Sequence, residues 1–311
     1  MKFESLIGND EIKKVLNETI NKNKILNSYM FIGQSGIGKQ QFAKEFARKI
    51  LCISDNKQQC DNCESCIKFN SNNHPDFVEV STNENSIKIA QIREMQEYIY
   101  QKPIVSNKKV FIINDAEKMT EEAQNSLLKT LEEPPEYVSI ILIASNENLL
   151  LNTIKSRCVK IYFNNIDKQL ITKYIQDNNI IENPTSNIID LCNGSIGKAI
   201  EISSNLEMYT QVEEVLNNIL NKKYKSIIEV MKNSEIIYKS KNYISQILEY
   251  MIVVVFNLTK ANLQYSENAQ VAFNIIKIIE NTKVKLKSNS NYDMSIDELI
   301  LKIWEEVNWK I

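Results

Sequence analysis

"GQSGIGKQQ", Gly33 to Gln41, is the stretch whose reading decides the fold, because it is a phosphate-binding loop in all but one position. The pattern G-x-x-x-x-G-K-[ST] needs a hydroxyl after its lysine, and Gln40 stands there instead. Gly33, Gly36 and Gly38 let successive backbone N–H groups turn inward toward phosphate oxygens, at the start of a helix whose dipole favours anions. Lys39 is placed to reach the β- and γ-phosphates. The missing hydroxyl normally completes the coordination of Mg²⁺, and an amide on a longer stem cannot replace it without displacing the metal. The loop therefore reads as built for phosphate and poorly built for metal-assisted hydrolysis. Its surroundings are those the pattern requires: Tyr29–Ile32 is a short apolar run with strand character, and Phe42, Ala43, Phe46, Ala47 and Ile50 follow with a helical period.

Outward from the loop, short apolar runs alternate with helix-period segments. Strands are expected at Tyr29–Ile32, Phe77–Val80, Val110–Ile113, Ile140–Ala144 and Lys160–Phe163, with helices starting near Asn9, Gly38, Ile89 and Glu121. That alternation implies an α/β domain with a mostly parallel sheet. After Asn164 the strand signal fades. Gln169–Gln176 and Ser186–Cys192 read as short helices, "NGSIGKA" (Asn193–Ala199) as a turn, and the apolar spacing from Leu206 onward is helical throughout. The expected division is an α/β domain over 1–164, a small helical domain over 165–205 and an all-helical domain over 206–311.

Composition narrows the functional classes. With 43% hydrophobic and 24% charged residues the chain is that of an ordinary soluble protein, long enough for two or three domains. The start turns acidic at once and lacks an apolar core, so no secretory signal is expected, and a cytoplasmic location follows. The longest apolar run, Tyr250–Phe256, is far short of the ~20 residues a membrane span needs. A net charge of −2 argues against a chain that binds nucleic acid alone through a dominant basic surface. Arg48, Arg93 and Arg157 are the only arginines among 37 basic residues, so each is expected where lysine would fail.

Cys52, Cys60, Cys63 and Cys66 are spaced C-x7-C-x2-C-x2-C inside what reads as a loop. Four thiols at short spacing in a reducing compartment suit a tetrahedral structural Zn²⁺ with no open position for catalysis. Two alternatives stand beside it: a dithiol redox pair, which lacks the thioredoxin-like context, and unligated thiols left by a decayed site. His74, the only histidine, is read as a loop residue, and Cys158 and Cys192 as packing thiols.

A hydrolysing phosphate-loop enzyme also needs an aspartate at the end of an apolar strand to hold Mg²⁺, with a glutamate beside it to orient water. "VFIINDAEKM" (Val110–Met119) offers Asn114 and Asp115 there, the first without the charge and the second one methylene short. With Gln40 these are three separate defects in one site.

The loop, the cysteine cluster, "NSLLKTLEEPPE" (Asn125–Glu136) and "IKSRC" (Ile154–Cys158), in that order and spacing, resemble the bacterial DNA polymerase III clamp loader of the AAA+ family. The resemblance is good over about the first 200 residues and rests on helical character alone beyond them. It implies an AAA+ phosphate-loop domain with an inserted zinc loop over 52–66, a helical lid and a helical collar. Gln40, Asn114–Asp115, and Gly197 at the position of a sensor arginine set the chain apart from the ATP-hydrolysing gamma/tau type and make it similar to the delta-prime type. An end near residue 311, without a long extension, agrees. The resemblance further implies delta and gamma/tau subunits as partners, and the sliding clamp and primer–template DNA through the assembly. No ATP turnover is implied for the chain itself, with ATP or ADP binding left open. Arg157 is implied as an arginine finger reaching a neighbour's ATP. The alternatives are an active gamma/tau-type ATPase and a nucleic-acid-binding module organised by the zinc loop.

Overall fold

The computed structural model describes residues 3–57, 59–82, 85–261, 266–288 and 290–308, so the outermost residues of the expected first and last domains lie outside the described part. The described residues form two compact units, one of residues 1–170 with 194–197 and the other of 171–193 with 198–311.

The first unit is built on five strands: β1 (Ser28–Ile32), β2 (Phe77–Val80), β3 (Lys109–Ile113), β4 (Val138–Ala144) and β5 (Val159–Tyr162). They lie in the order β2-β3-β4-β1-β5, and every neighbouring pair is parallel. Around them run α1 (Asp10–Asn21), α2 (Lys39–Leu51), α3 (Glu64–Asn70), α4 (Ile89–Ile99), α5 (Glu121–Glu132) and α6 (Asn152–Lys155).

Strand alternation sorts the core into two layers. Tyr29, Phe31, Val110, Ile112, Ile141 and Ile143 face α1 and α2, where they meet Leu16, Phe42 and Phe46. Met30, Phe111, Ile113, Ile140 and Leu142 face α4 and α5, where they meet Ile92, Met95, Leu127 and Leu131. Both faces being covered explains why the central strands read as unbroken apolar runs. The strands are those the sequence implies, to within one or two residues at their ends, and the α/β class is as expected. In such a sheet, ligands bind beyond the carboxyl ends of the strands, and the loops after β1, β3 and β4 meet there.

The second unit is all helix among the described residues. After α7 (Lys168–Asp177), which straddles the division, it holds α8 (Ser186–Cys192) and α9 (Ile196–Ser203), whose first residues belong to the first unit. α10 (Leu206–Leu220), α11 (Ile227–Asn233), α12 (Glu235–Lys239), α13 (Ile244–Ala261), α14 (Ser266–Lys287) and α15 (Tyr292–Asn308) complete it. Its core includes Val212, Leu216, Leu248, Met251, Ile279, Leu299 and Ile303. Glu213 on α10 accepts hydrogen bonds from Asn187 (2.6 Å) and from the Tyr250 hydroxyl, while Asn257 donates to Asn187 (2.8 Å) and Asp190 (2.9 Å), so one polar network joins α8, α10 and α13. The segment read as a turn over Asn193–Ala199 is a turn only to Ser195: Asn193 and Gly194 take left-handed backbone, and α9 begins at Ile196.

Candidate phosphate loop and cysteine site

The two candidate sites sit at opposite ends of α2. Gly38 is its N-cap, with φ of 95° in the left-handed region that favours glycine, and Cys52 is its C-cap.

At the N-terminal end Lys39 is buried, and its ammonium donates to the loop's own carbonyls, Gly33 O at 2.5 Å and Gln34 O at 2.7 Å, with Ser145 Oγ at 3.5 Å. A phosphate reaching this lysine has to take it from those carbonyls. Burial draws the Lys39 ammonium below its ordinary range, with Glu117 and Asp115 acting in the opposite direction. Glu117 is fixed by the backbone N–H of Ser145 at 2.9 Å, and Asp115 is paired with Lys118 at 2.8 Å.

The outer side of the loop is covered by the turn that leads into α9. Ser195 Oγ donates to Ser35 O at 3.0 Å, and the Gly197 N–H donates to Gly36 O at 2.9 Å. The approach is close enough to demand two glycines: a Cβ on Gly197 would stand 2.8 Å from Gly36 Cα. A Cβ at position 197 has no room in this packing, and an arginine of the kind expected in the gamma/tau type has less still.

Gln40 and Asn114, the two residues that depart from the metal-holding pattern, converge on one carboxylate. Gln40 Nε2 donates to Glu79 Oε1 at 2.6 Å, Asn114 Nδ2 donates to the same oxygen, and Lys44 Nζ lies 2.8 Å from Oε2. Burial pushes the Glu79 carboxyl up, but the hydrogen bonds from Lys44 and Gln40 outweigh it and hold the group below the usual carboxylate range. The sequence alone presents Glu79 as no more than part of a strand. The available signal was a charge on the α2-facing side of "FVEV", between Val78 and Val80 on the other face.

At the C-terminal end of α2 the cysteines come together. The Sγ atoms of Cys52, Cys60, Cys63 and Cys66 all lie within 4.8 Å of one another, with Cys52 and Cys63 at 3.8 Å. A tetrahedron with Zn–S bonds of ~2.3 Å has sulfur–sulfur edges of about 3.8 Å, so the set fits a structural metal such as zinc. His74 takes no part: its Nε2 lies 2.9 Å from Ser65 Oγ, and its Nδ1 accepts the Asp76 N–H at 3.1 Å. The segment after Cys63 is not loop but α3, with the Cys63 sulfur accepting from the Cys66 N–H at its N-cap.

Arg48, whose role the sequence left open, braces this site. It is fully buried and grips Glu45 with two hydrogen bonds, Nε–Oε2 at 2.9 Å and Nη2–Oε1 at 2.8 Å. From Nη1 it donates to Cys60 O at 2.9 Å and Asp61 Oδ1 at 2.6 Å, with Cys66 Sγ at 3.7 Å. A guanidinium offers these bonds in one plane and brings a positive charge beside the sulfurs, which a lysine could not do with the same reach. Arg93 lies exposed on α4.

Arg157 follows α6 at the edge strand β5. Its Nη2 donates to Glu132 Oε1 at 2.6 Å and its Nη1 to Thr153 O at 2.8 Å, with about a third of the side chain exposed (34%). Glu132 belongs to the "LEEPP" string, so two of the stretches that carry the resemblance meet in this pair.

Compared with known proteins, residues 8–167 match the family described as "DNA polymerase III, delta subunit". The chain belongs to this family. It is a clamp-loader subunit of DNA polymerase III, as the resemblance implies, with the AAA+ sheet and the helical region described above. DNA polymerase III subunit delta' of Bacillus subtilis is 27% identical over 94% of this chain and 95% of its own length. DNA polymerase III subunit gamma/tau of Mycoplasma genitalium is 31% identical over 82% of this chain, which spans only 42% of that relative. A solved gamma subunit-related protein of Thermotoga maritima covers 95% of this chain and 99% of its own at 17% identity, with a TM-score of 0.46, too distant to carry weight. Among the described residues no helix is long and apolar enough to cross a membrane.

Proposed function

We propose that the chain is the delta-prime-type subunit of the clamp loader: a cytoplasmic AAA+ subunit that does not turn over ATP, stands between delta and gamma/tau in a ring, and donates Arg157 to the ATP held by its gamma/tau neighbour. Through the ring it helps place the sliding clamp on primer–template DNA. Cys52, Cys60, Cys63 and Cys66 hold one structural Zn²⁺ and serve the fold. The observation that carries the reading is the seating of Gly197 on Gly36, which puts backbone where a hydrolysing subunit needs an arginine and closes the loop from outside. The near full-length likeness to a delta' subunit supports the same choice over gamma/tau. For Arg157, support comes from its chemistry: a guanidinium binds two phosphate oxygens at once and keeps its charge while doing so. Its pairing with Glu132, partly exposed, is weak enough to exchange for a phosphate.

The test is made in the ring reconstituted with delta and gamma/tau. Arginine fingers supplied in trans are worth ~10³–10⁵ in rate, so Arg157→Ala should silence one site while the others keep theirs. Clamp- and DNA-stimulated hydrolysis should fall in part and clamp loading further, with the complex still assembled and Arg157→Lys little better. Unmodified rates in the Ala variant would reduce Arg157 to a surface salt bridge.

A further inference from the structure

At two positions where the motif calls for metal-holding groups the chain carries amides, Gln40 in the phosphate loop and Asn114 after β3, and the structure shows what they hold. Gln40 stands in the first turn of α2, Asn114 just past the end of β3, and Glu79 in β2, which pairs with β3. Both replacements are amides, and both turn their N–H₂ groups to the same oxygen, Glu79 Oε1. The other oxygen takes Lys44, one turn further along α2. The groups the two amides turn inward are donors and not metal ligands, so together they hold a carboxylate there. The ammonium balances its charge, as a cation would. A divalent ion approaching this cluster meets amide hydrogens and a positive charge.

We propose that Glu79 and Lys44, clasped by Gln40 and Asn114, are an internal replacement for the Mg²⁺ of a nucleotide site: a joint that ties the phosphate-loop helix to the sheet without metal or nucleotide. The joint stands apart from the clamp-loader reading and would hold in the isolated chain whatever its partners. On this account, restoring Gln40→Thr, Asn114→Asp and Asp115→Glu together should not rebuild a metal site. The side chain introduced by Asn114→Asp would face Glu79, carboxylate against carboxylate, unless Glu79 and Lys44 change as well.

The joint is tested on the full chain by thermal unfolding in chelator-free buffer, so that the cysteine site keeps any metal it holds. Millimolar MgCl₂ should leave the midpoint of the unmodified protein where it is. Glu79→Ala and Gln40→Ala should each lower it, Glu79→Ala by about 5 °C. The double variant should fall short of the sum of the two, because both remove the same contact. Hydrogen exchange over residues 34–40 should quicken about tenfold in Glu79→Ala, as the loop opens locally. If Glu79→Ala does not fold, Glu79→Gln carries the same cycle against Lys44→Met, since it keeps an oxygen for the amides and loses the charge for the lysine. Additive effects with unchanged exchange, or a midpoint raised by Mg²⁺ in the unmodified chain, would overturn the proposal.

Discussion

The two ends of α2 carry two ligand-site motifs, and their polar groups are arranged in opposite ways. At the C-terminal end the donor atoms converge: four sulfurs within 4.8 Å of one another, with a buried arginine held beside them. At the N-terminal end the donors turn on each other, Lys39 to its own loop, Gln40 and Asn114 to Glu79, and the Gly197 backbone to Gly36. Both ends still match a motif in sequence. The lesson is that a motif kept for its ligand leaves its polar groups pointing at a common centre, and a motif kept for the fold satisfies them internally, as buried polar groups require.

The comparison is sharpened most strongly at the cysteine end. Metal analysis of the unmodified chain should give about one zinc, and Cys63→Ser should abolish it. Arg48→Ala should cost up to about 3–5 kcal/mol in denaturant unfolding, because the buried Glu45 loses both guanidinium bonds and keeps only the longer pairing with Lys49 at 3.8 Å. It should also loosen the metal, measured as a faster transfer to a chromogenic chelator. A full zinc complement at unchanged exchange rate in Arg48→Ala would break the link between the arginine and the site.

At the other end the expected effects are smaller. Gly197→Ala should destabilise by roughly 1–3 kcal/mol, the range of overpacking, because its Cβ has no room against Gly36. A neutral effect would mean that the turn moves freely off the loop. The smallest effect is a pH dependence. Glu79 sits below its ordinary value of 4.5, because the bonds from Lys44 and Gln40 outweigh the opposing effect of burial. Its contribution to stability is therefore fully present above that value and lost as pH falls through the folded one. The stability gap between unmodified protein and Glu79→Gln should be constant above about pH 5 and close on further acidification. A gap that widened in acid would contradict the assignment.

Most of the sheet was legible because buried parallel strands are apolar on both faces, and Phe77–Val80 agrees to the residue. The helix α3 was not, since seven residues with two polar ends and a cysteine carry almost no period. The clustering of the four cysteines was legible because their spacing is local. Arg48 stood out by its rarity, but its purpose depends on Asp61 and Cys60, which only the folded chain brings to it. Glu79 and the Gly36–Gly197 contact were invisible for the same reason: their partners are distant in sequence. Gly197 was visible as a missing arginine, and what the glycine permits was not.

The central claim is that the phosphate loop serves the fold and not turnover, and the most direct measurement is steady-state ATP hydrolysis by the purified chain with Mg²⁺, beside its Lys39→Ala variant. The account predicts that neither exceeds the blank. Steady turnover by the unmodified chain that Lys39→Ala abolishes could not come from a contaminant, and it would identify an active ATPase of the gamma/tau kind.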